Sequence, residues 1–445
     1  MPSSPNTDDS LEIRRRLRRG QAVTLTILII GYAGYYLCRS NLSVVTPLLL
    51  DELTADGMDA GEAKVRLGLM VSLGTLIYAV GKFISGAVGD FLGGRRNFLG
   101  GMAGAVLFTA LFPLGGGFPL FTLAWMSNRL AQSFGWTGLV KVSSRWFGYT
   151  SYGTVMGVLS LSYLAGDAAS RTFLGVLLGW GIGWRDVFWT CAAILAGLLL
   201  LSAVLLRESP AAIGAAEGDV NPLNVYGTSG HQVRPESLAG LLAPLLRNRA
   251  FWCVCLLSLS MTLLRETFNN WLPTYFQEVA NLTPGSAAKQ SAWFPLLGTV
   301  SVFLAGFLSD RLGRTGRATI ILVSLMLTGG ALWGLGQLPS GCRPGWPIVL
   351  VTLIGFLLIG PYAYMGGAIA LDFGGKRGSA TACGIIDGIG YLGGALGGAG
   401  FAGLLRSWDW SDSFTILALL SWLSCAAAVL LRREQSSPTR EEEQR

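Results

Sequence analysis

The sequence predicts an all-α polytopic membrane protein of twelve transmembrane helices, arranged as two pseudo-symmetric halves of six. Three observations carry that prediction. Hydrophobic residues make up 51% of the 445-residue chain and charged residues only 13%, about half the share of an average soluble domain, and the mean hydropathy is +0.51. Apolar runs of about 20 residues, the length that crosses a bilayer, recur from end to end. The chain also repeats itself: Arg39, Pro47 and Glu52 return as Arg265, Pro273 and Glu278, each offset by 226 residues.

Taken in order, the first-half spans fall at roughly 21–50, 66–90, 97–114, 118–144, 153–180 and 186–206. The second-half spans fall at roughly 250–278, 288–310, 318–337, 346–371, 379–405 and 412–431. Short connections holding Arg95 and Arg96, Lys141 and Arg145, Arg247 and Arg249, Arg311, Arg314 and Arg317, and Lys376 and Arg377 alternate with acidic, mixed or neutral ones such as 51–65. That asymmetry places the basic loops and both termini in the cytoplasm. The net charge of +7 is therefore a topology signal and not a sign of nucleic-acid affinity. Residues 1–20, with Arg14, Arg15, Arg16, Arg18 and Arg19, read as a cytoplasmic tail without a cleavable signal peptide. Residues 21–207 form the first half and 246–432 the second, and 433–445 are a cytoplasmic tail. Between the halves, 208–245 is poor in apolar residues and carries Pro210, Gly214, Gly218, Pro222, Gly227, Gly230 and Pro235. It reads as a cytoplasmic linker.

The stretch GYAGYYLCRSNLSVVTPLLLDEL, residues 31–53, is the most informative. A cation at the bilayer centre costs ~3 kcal/mol on insertion scales, so Arg39 needs a partner or a watery cavity. One such arginine in each half points to a central site for an anion. Guanidinium groups bind phosphate in a bidentate fashion and stay charged when desolvated. Structural pairing, for example of Arg265 with Glu266, is the alternative. Tyr32 and Tyr36 precede Arg39 by seven and three residues and share its helix face, either as ligands or as interface packing. Asp387 is intramembrane and so functional by default: it can balance Arg265 or bind a substrate hydroxyl.

Two loops share a pattern, G-x3-D-x-x-G-x-R-R after the second span and G-x3-D-R-x-G-R after the eighth. Gly86 and Asp90 recur as Gly306 and Asp310, offset by 220, while Trp184 and Phe188 recur as Trp410 and Phe414, offset by 226. A parallel repeat with a midplane site is the major facilitator architecture, and the two loops resemble the signature loop of that superfamily. The resemblance implies gating roles for Asp90, Arg95, Arg96, Asp310, Arg311 and Arg314, which would latch helix ends on the cytoplasmic face. Phe91 stands where the family usually has a basic residue.

The stretches GYAGYYLCRSNLSVVTP, YAVGKFISGAVGD, AQSFGWTGLVKVSSRWF and LLRETFNNWLPTYFQEV are similar to the organophosphate:phosphate antiporter family, which includes glycerol-3-phosphate and hexose-phosphate transporters. The resemblance covers all the helices. It implies that Arg39 and Arg265 grip phosphate from either side, that Lys82 faces the path, and that Tyr32 and Tyr36 lie near the substrate. Pairing with a helix-end acid is the alternative for Lys82.

The departures fall in the pocket. Ser40 stands where the family has a lysine, Gly166 where bacterial glycerol-phosphate members have a histidine, and Arg129 where glycine is common. Arg129 either supplies the charge lost at Ser40 or pairs with Asp167, and Asp167 can instead be neutralised by Arg171 at i, i+4. Gly393, Gly394, Gly397 and Gly398 allow close packing or a hinge.

No nucleotide loop and no metal-spaced His or Cys set is present, so neither an enzyme nor a cofactor is expected. His231 lies in a polar loop, which excludes a histidine relay, and six of the seven cysteines sit in apolar segments as packing residues. The expected protein is a monomeric, multi-pass inner-membrane transporter that exchanges a phosphorylated organic anion for inorganic phosphate. The lipid bilayer and that small anion are its expected partners. The competing readings are a proton-coupled symporter using Asp167, Arg129 and Asp387, and a sugar-phosphate sensor.

Overall fold

The computed structural model describes the backbone of residues 7–436 apart from residue 314, and the side chains of these except 7–10, 284, 285, 288 and 399. The first half holds α1 (Thr7–Ala55), α2 (Ala60–Leu92), α3 (Gly94–Leu111), α4 (Phe118–Trp146), α5 (Tyr152–Gly179) and α6 (Trp184–Leu205). A short helix, α7 (Leu238–Arg247), precedes the second half: α8 (Arg249–Glu278), α9 (Pro284–Ser291), α10 (Trp293–Arg311), α11 (Gly316–Gly336), α12 (Gly345–Tyr362), α13 (Ala370–Ala395), α14 (Phe401–Ser407) and α15 (Trp410–Ser436).

Nine helical stretches among the described residues are long and apolar enough to cross a bilayer. One of them, Gly345–Ser407, is two spans joined where Gly375 (φ 54°) and Gly378 leave helical geometry, so α13 holds the end of one span and the start of the next. The helices α4 and α5 complete twelve. They are less apolar because α4 carries Asn128, Arg129, Gln132 and Lys141, and α5 carries Asp167 and Arg171. The outward faces keep large apolar residues bare, among them Leu123, Val204, Leu256 and Leu423, as lipid requires.

Local signals set the ends. Asp59 caps α2 by accepting from the N–H groups of Gly61 and Glu62, and Asn248 caps α8 through Phe251 N–H, satisfying donors that a helix start leaves orphaned. Pro119 opens α4, where its missing N–H costs nothing. Both signature loops turn on a glycine with positive φ, Gly93 at 98° and Gly313 at 69°, a region that a side chain disfavours.

The halves meet along α2 with α13 and α5 with α10. Glycine makes those contacts possible: a Cβ on Gly86 would run into the backbone of Ala380 and Thr381, and one on Gly306 into Gly153 O. One polar contact repeats with the sequence offset. Trp184 donates to Glu52 at 2.7 Å, and Trp410, 226 residues on, donates to Glu278 at 2.8 Å.

Two segments carry structure that the sequence did not show. The helix α1 begins at Thr7, not near 21, and its 49 residues span about 70 Å. Its first turns therefore stand clear of a ~30 Å hydrocarbon core. The linker is ordered as well. Its 217–233 stretch lies across the mouth between the halves: Tyr149 N–H donates to Asp219 O at 3.1 Å, Gly218 N–H to Arg145 O at 3.1 Å, and Val225 N–H to Phe373 O at 3.0 Å. Asn221 donates to Asp372 at 2.8 Å, and Tyr226 is buried and donates to Leu241 O. Turn-forming residues mark this stretch as a linker, and backbone and asparagine hydrogen bonds tie it to both halves.

Candidate functional site

Midway along the helices, α1, α2, α4 and α5 from one half and α8, α12 and α13 from the other surround a small cavity. Its wall is aromatic and cationic and includes Tyr36, Tyr78, Lys82, Arg265, Tyr362 and Tyr391. About 50 Å³ is open to the centre of a water molecule, enough for on the order of four waters. A larger guest requires side chains to move.

Each predicted cation has a different setting. Arg39 donates to three phenols, Tyr391 at 3.3 Å, Tyr78 at 3.4 Å and Tyr36 at 3.5 Å. These are long hydrogen bonds, cheap to exchange for charged acceptors. Lys82 is buried and makes a 2.8 Å ion pair with Asp387, joining the two halves. Asp387 therefore balances Lys82 and not Arg265. Arg265 pairs with its neighbour Glu266 and lies 4.2 Å from the Tyr362 ring centroid. Arg129 is buried too, and its hydrogen bond goes to Gln132 at 3.5 Å. Asp167 lies elsewhere: it accepts from Ser40 at 2.5 Å and from Arg171 at 2.9 Å. Tyr32 packs on Tyr36 and Trp136.

The residue that gathers this cluster is Tyr78, which the sequence reading did not single out. The guanidinium carbons of Arg39 and Arg129 each lie 4.6 Å from its ring centroid, and Lys82 Nζ lies 5.2 Å away. The negative face of the ring offsets part of their repulsion. One signal was available: Tyr78 precedes Lys82 by four residues, which puts both on one helix face. Counting acids against bases among the described residues around the cavity, Lys82 has Asp387 and Arg265 has Glu266. Arg39 and Arg129 have only neutral partners. The site carries about two uncompensated positive charges.

At the linker face the two signature aspartates make hydrogen bonds across the halves. Asp90, fully buried, accepts from Thr381 N–H at 2.7 Å and Ala380 N–H at 3.3 Å, at the start of the eleventh span. Asp310 accepts from Gly153 N–H at 2.9 Å and Thr154 N–H at 2.7 Å, at the start of the fifth. Each carboxylate thus sits on the positive end of a helix dipole. Their cations are Lys141, 2.7 Å from Asp90 and equally buried, and Arg317, 3.0 Å from Asp310 and also paired with Asp372. Lys141 donates as well to the carbonyls of Val233 and Lys376. The motif arginines do other work: Arg95 donates to Leu206 O at 2.6 Å and Ala203 O at 2.5 Å at the end of α6. Arg96 and Arg311 are exposed, the latter 4.1 Å from the Phe307 ring centroid. Arg314 lies outside the described residues. Glu217 in the linker bridges Arg145 of one half (2.5 Å) and Lys376 of the other (3.3 Å). Partial burial raises its carboxyl, but Arg145 and Lys376 outweigh that and hold it below the usual value.

Residues 28–398 match the family model described as Major Facilitator Superfamily, and the chain belongs to that superfamily of membrane transport proteins. Within it, the chain is 24% identical over 444 residues to the probable hexose phosphate transport protein of Chlamydia pneumoniae, covering 95% of this chain and 92% of the relative. It is 24% identical over 420 residues to the glycerol-3-phosphate transporter of Bacillus subtilis (strain 168), covering 91% and 89%. These relatives bear out the resemblance to the organophosphate:phosphate antiporter family. The fold matches the crystal structure of the E. coli fucose:proton symporter FucP with a TM-score of 0.71 at 13% identity, covering 94% of this chain and all of that one. At that identity the likeness is one of fold.

Proposed function

We propose that the protein is a secondary transporter that exchanges a phosphorylated organic anion of the glycerol-phosphate or sugar-phosphate type for inorganic phosphate by alternating access. The observation that carries this is the pair of uncompensated cations, Arg39 and Arg129, stacked on the wall residue Tyr78 of the cavity that Lys82 and Arg265 line. A phosphate monoester carries between one and two negative charges near neutral pH, the charge that the site lacks. Binding would exchange the long phenol contacts of Arg39 for charge-assisted bonds and draw Arg265 in from the second half. Lys82 would turn from Asp387 toward the phosphate, and Arg129 supplies the charge that Ser40 does not. Because the guest touches both halves, occupancy couples to their relative motion. The relatives' printed names agree with this substrate class, and the loop charges favour both termini on the cytoplasmic side.

A proton-coupled symporter built on Asp167, Arg129 and Asp387 has less support. Asp167 is engaged with Ser40 and Arg171, and Asp387 with Lys82, so the three do not form one relay. The deciding experiment is counterflow in proteoliposomes loaded with unlabelled phosphate. Labelled phosphate should accumulate without any pH gradient, and glycerol, hexose or glycerate phosphates outside should compete. Uptake that requires a pH gradient and ignores internal phosphate would overturn the proposal.

A further inference from the structure

A second cavity lies at the linker face, far from the central site. Its volume is about 420 Å³ on the measure that gives 50 Å³ for the central one. The wall changes character along the helix axis. Arg16, Arg19 and Arg207 stand at its rim, and Val23, Val204, Leu205 and Ile213 line its apolar part, with Trp146 buried behind. Arg16, Arg19 and Val23 recur at three and four residues and so share one face of α1, which is why the basic and apolar parts stack along the helix axis.

We propose that this cavity binds an anionic phospholipid, with the headgroup phosphate held by Arg16, Arg19 and Arg207 and the acyl chains lying on Val23, Val204 and Leu205. Three features argue for that occupant over a free anion. Val204 is 76% exposed, Val23 and Leu205 42% each, on the outer flanks of two membrane-crossing helices where lipid tails run. The arginines sit at the end of those helices, at headgroup depth. Little acid competes: Arg16 has an exposed pair with Glu12, whereas Arg19 and Arg207 have no ion pair among the described residues. The nearby Glu208 is taken by the N–H groups of Gly94 and Arg95 and by Arg145. Basic pockets of this kind beside membrane helices recognise acidic headgroups. The Arg207 backbone carbonyl accepts from Trp146 at 3.1 Å, and Gln21 donates to Trp146 O at 3.0 Å, so the site is tied to the end of α4. The proposal is independent of the transported substrate.

The test uses the purified full chain in detergent doped with phosphatidylglycerol or phosphatidylcholine, with bound lipid counted by native mass spectrometry. Two triple variants are compared. Arg16→Ala/Arg19→Ala/Arg207→Ala removes the rim; Arg14→Ala/Arg15→Ala/Arg18→Ala removes the same charge from the same region but from outside the cavity. At about 1 kcal/mol per arginine near an anionic surface, the first should retain phosphatidylglycerol roughly a hundredfold less well. The second should keep it, and phosphatidylcholine should not be retained by any form. Equal loss in both variants, or loss in neither, overturns the site. So does full competition by glycerophosphoglycerol, the headgroup without its chains, which would make this a soluble-anion site.

Discussion

Replacing Asp90 with asparagine should open the linker face. The carboxylate is fully buried, accepts two N–H groups at the start of the eleventh span, and neutralises Lys141, which is buried with it. Asparagine keeps the size but removes the charge, leaving a buried ammonium with only the Val233 and Lys376 carbonyls. Breaking a buried pair from one side costs about 3–5 kcal/mol. That cost falls on the closed form, because parting the halves on this side would let water reach Lys141. Taking about 3 kcal/mol, the open-to-closed ratio rises on the order of 150-fold, and an open form near 1 in 100 becomes the majority. Spin labels at exposed Arg96 and Arg311, one per half, report the separation by electron–electron distance measurement in a cysteine-depleted background. The distribution should move to longer distances in Asp90→Asn and in its repeat partner Asp310→Asn. Unchanged distributions in both variants, with folded protein, would refute the idea that these aspartates hold the face shut.

Three further outcomes follow from the same contacts. Lys82→Met should stop exchange and lower the thermal midpoint by stranding Asp387; adding Asp387→Asn should recover stability but not transport, with a coupling of about 1–3 kcal/mol, whereas simple additivity would mean that the pair is unimportant. Gly393→Ala places a methyl against the Leu259 backbone and should cost about 1–3 kcal/mol, while Gly330→Ala meets open space and should leave the midpoint level or higher, so equal effects would refute this packing. Because the Glu217 carboxyl is held below its usual value, its contribution to the linker is full above the unfolded value of about 4.3 and is lost as pH falls through the lower folded value; a spin label at Thr228 should stay immobile at neutral pH and loosen only in that acid window, and loosening near neutrality would contradict the assignment.

The twelve spans were legible because hydropathy, loop charge and the 226-residue offset are all local or periodic signals. The offset holds in three dimensions: Glu52 with Trp184 and Glu278 with Trp410 form the same contact twice. The positions of Arg39, Arg265, Lys82, Tyr36 and Asp387 around one seam were also readable, since an expensive residue in lipid announces itself. What the sequence hid were choices among partners. Asp387 had several cations within plausible reach, and only the approach of α2 to α13 decides for Lys82. Asp90 and Asp310 were readable as a repeated pair at helix ends, but their cations were not: Lys141 comes to Asp90 from α4, Arg317 reaches Asp310 from three residues past the motif, and Arg95 turns back onto α6. Tyr78 was missed because a tyrosine in a membrane helix reads as packing until two guanidinium groups are found beside it. The docking of the linker was hidden because glycine and proline report turns and not whether those turns dock.

The most direct measurement is labelled-phosphate counterflow by Arg39→Lys and Arg265→Lys in proteoliposomes, with folding checked by thermal midpoint. Each change keeps the charge and removes the planar fork that binds phosphate in two places. Both variants should remain folded and lose exchange by at least about a hundredfold, the worth of a charge-assisted hydrogen bond of about 3 kcal/mol. Normal exchange by both would contradict a phosphate site built on these two arginines.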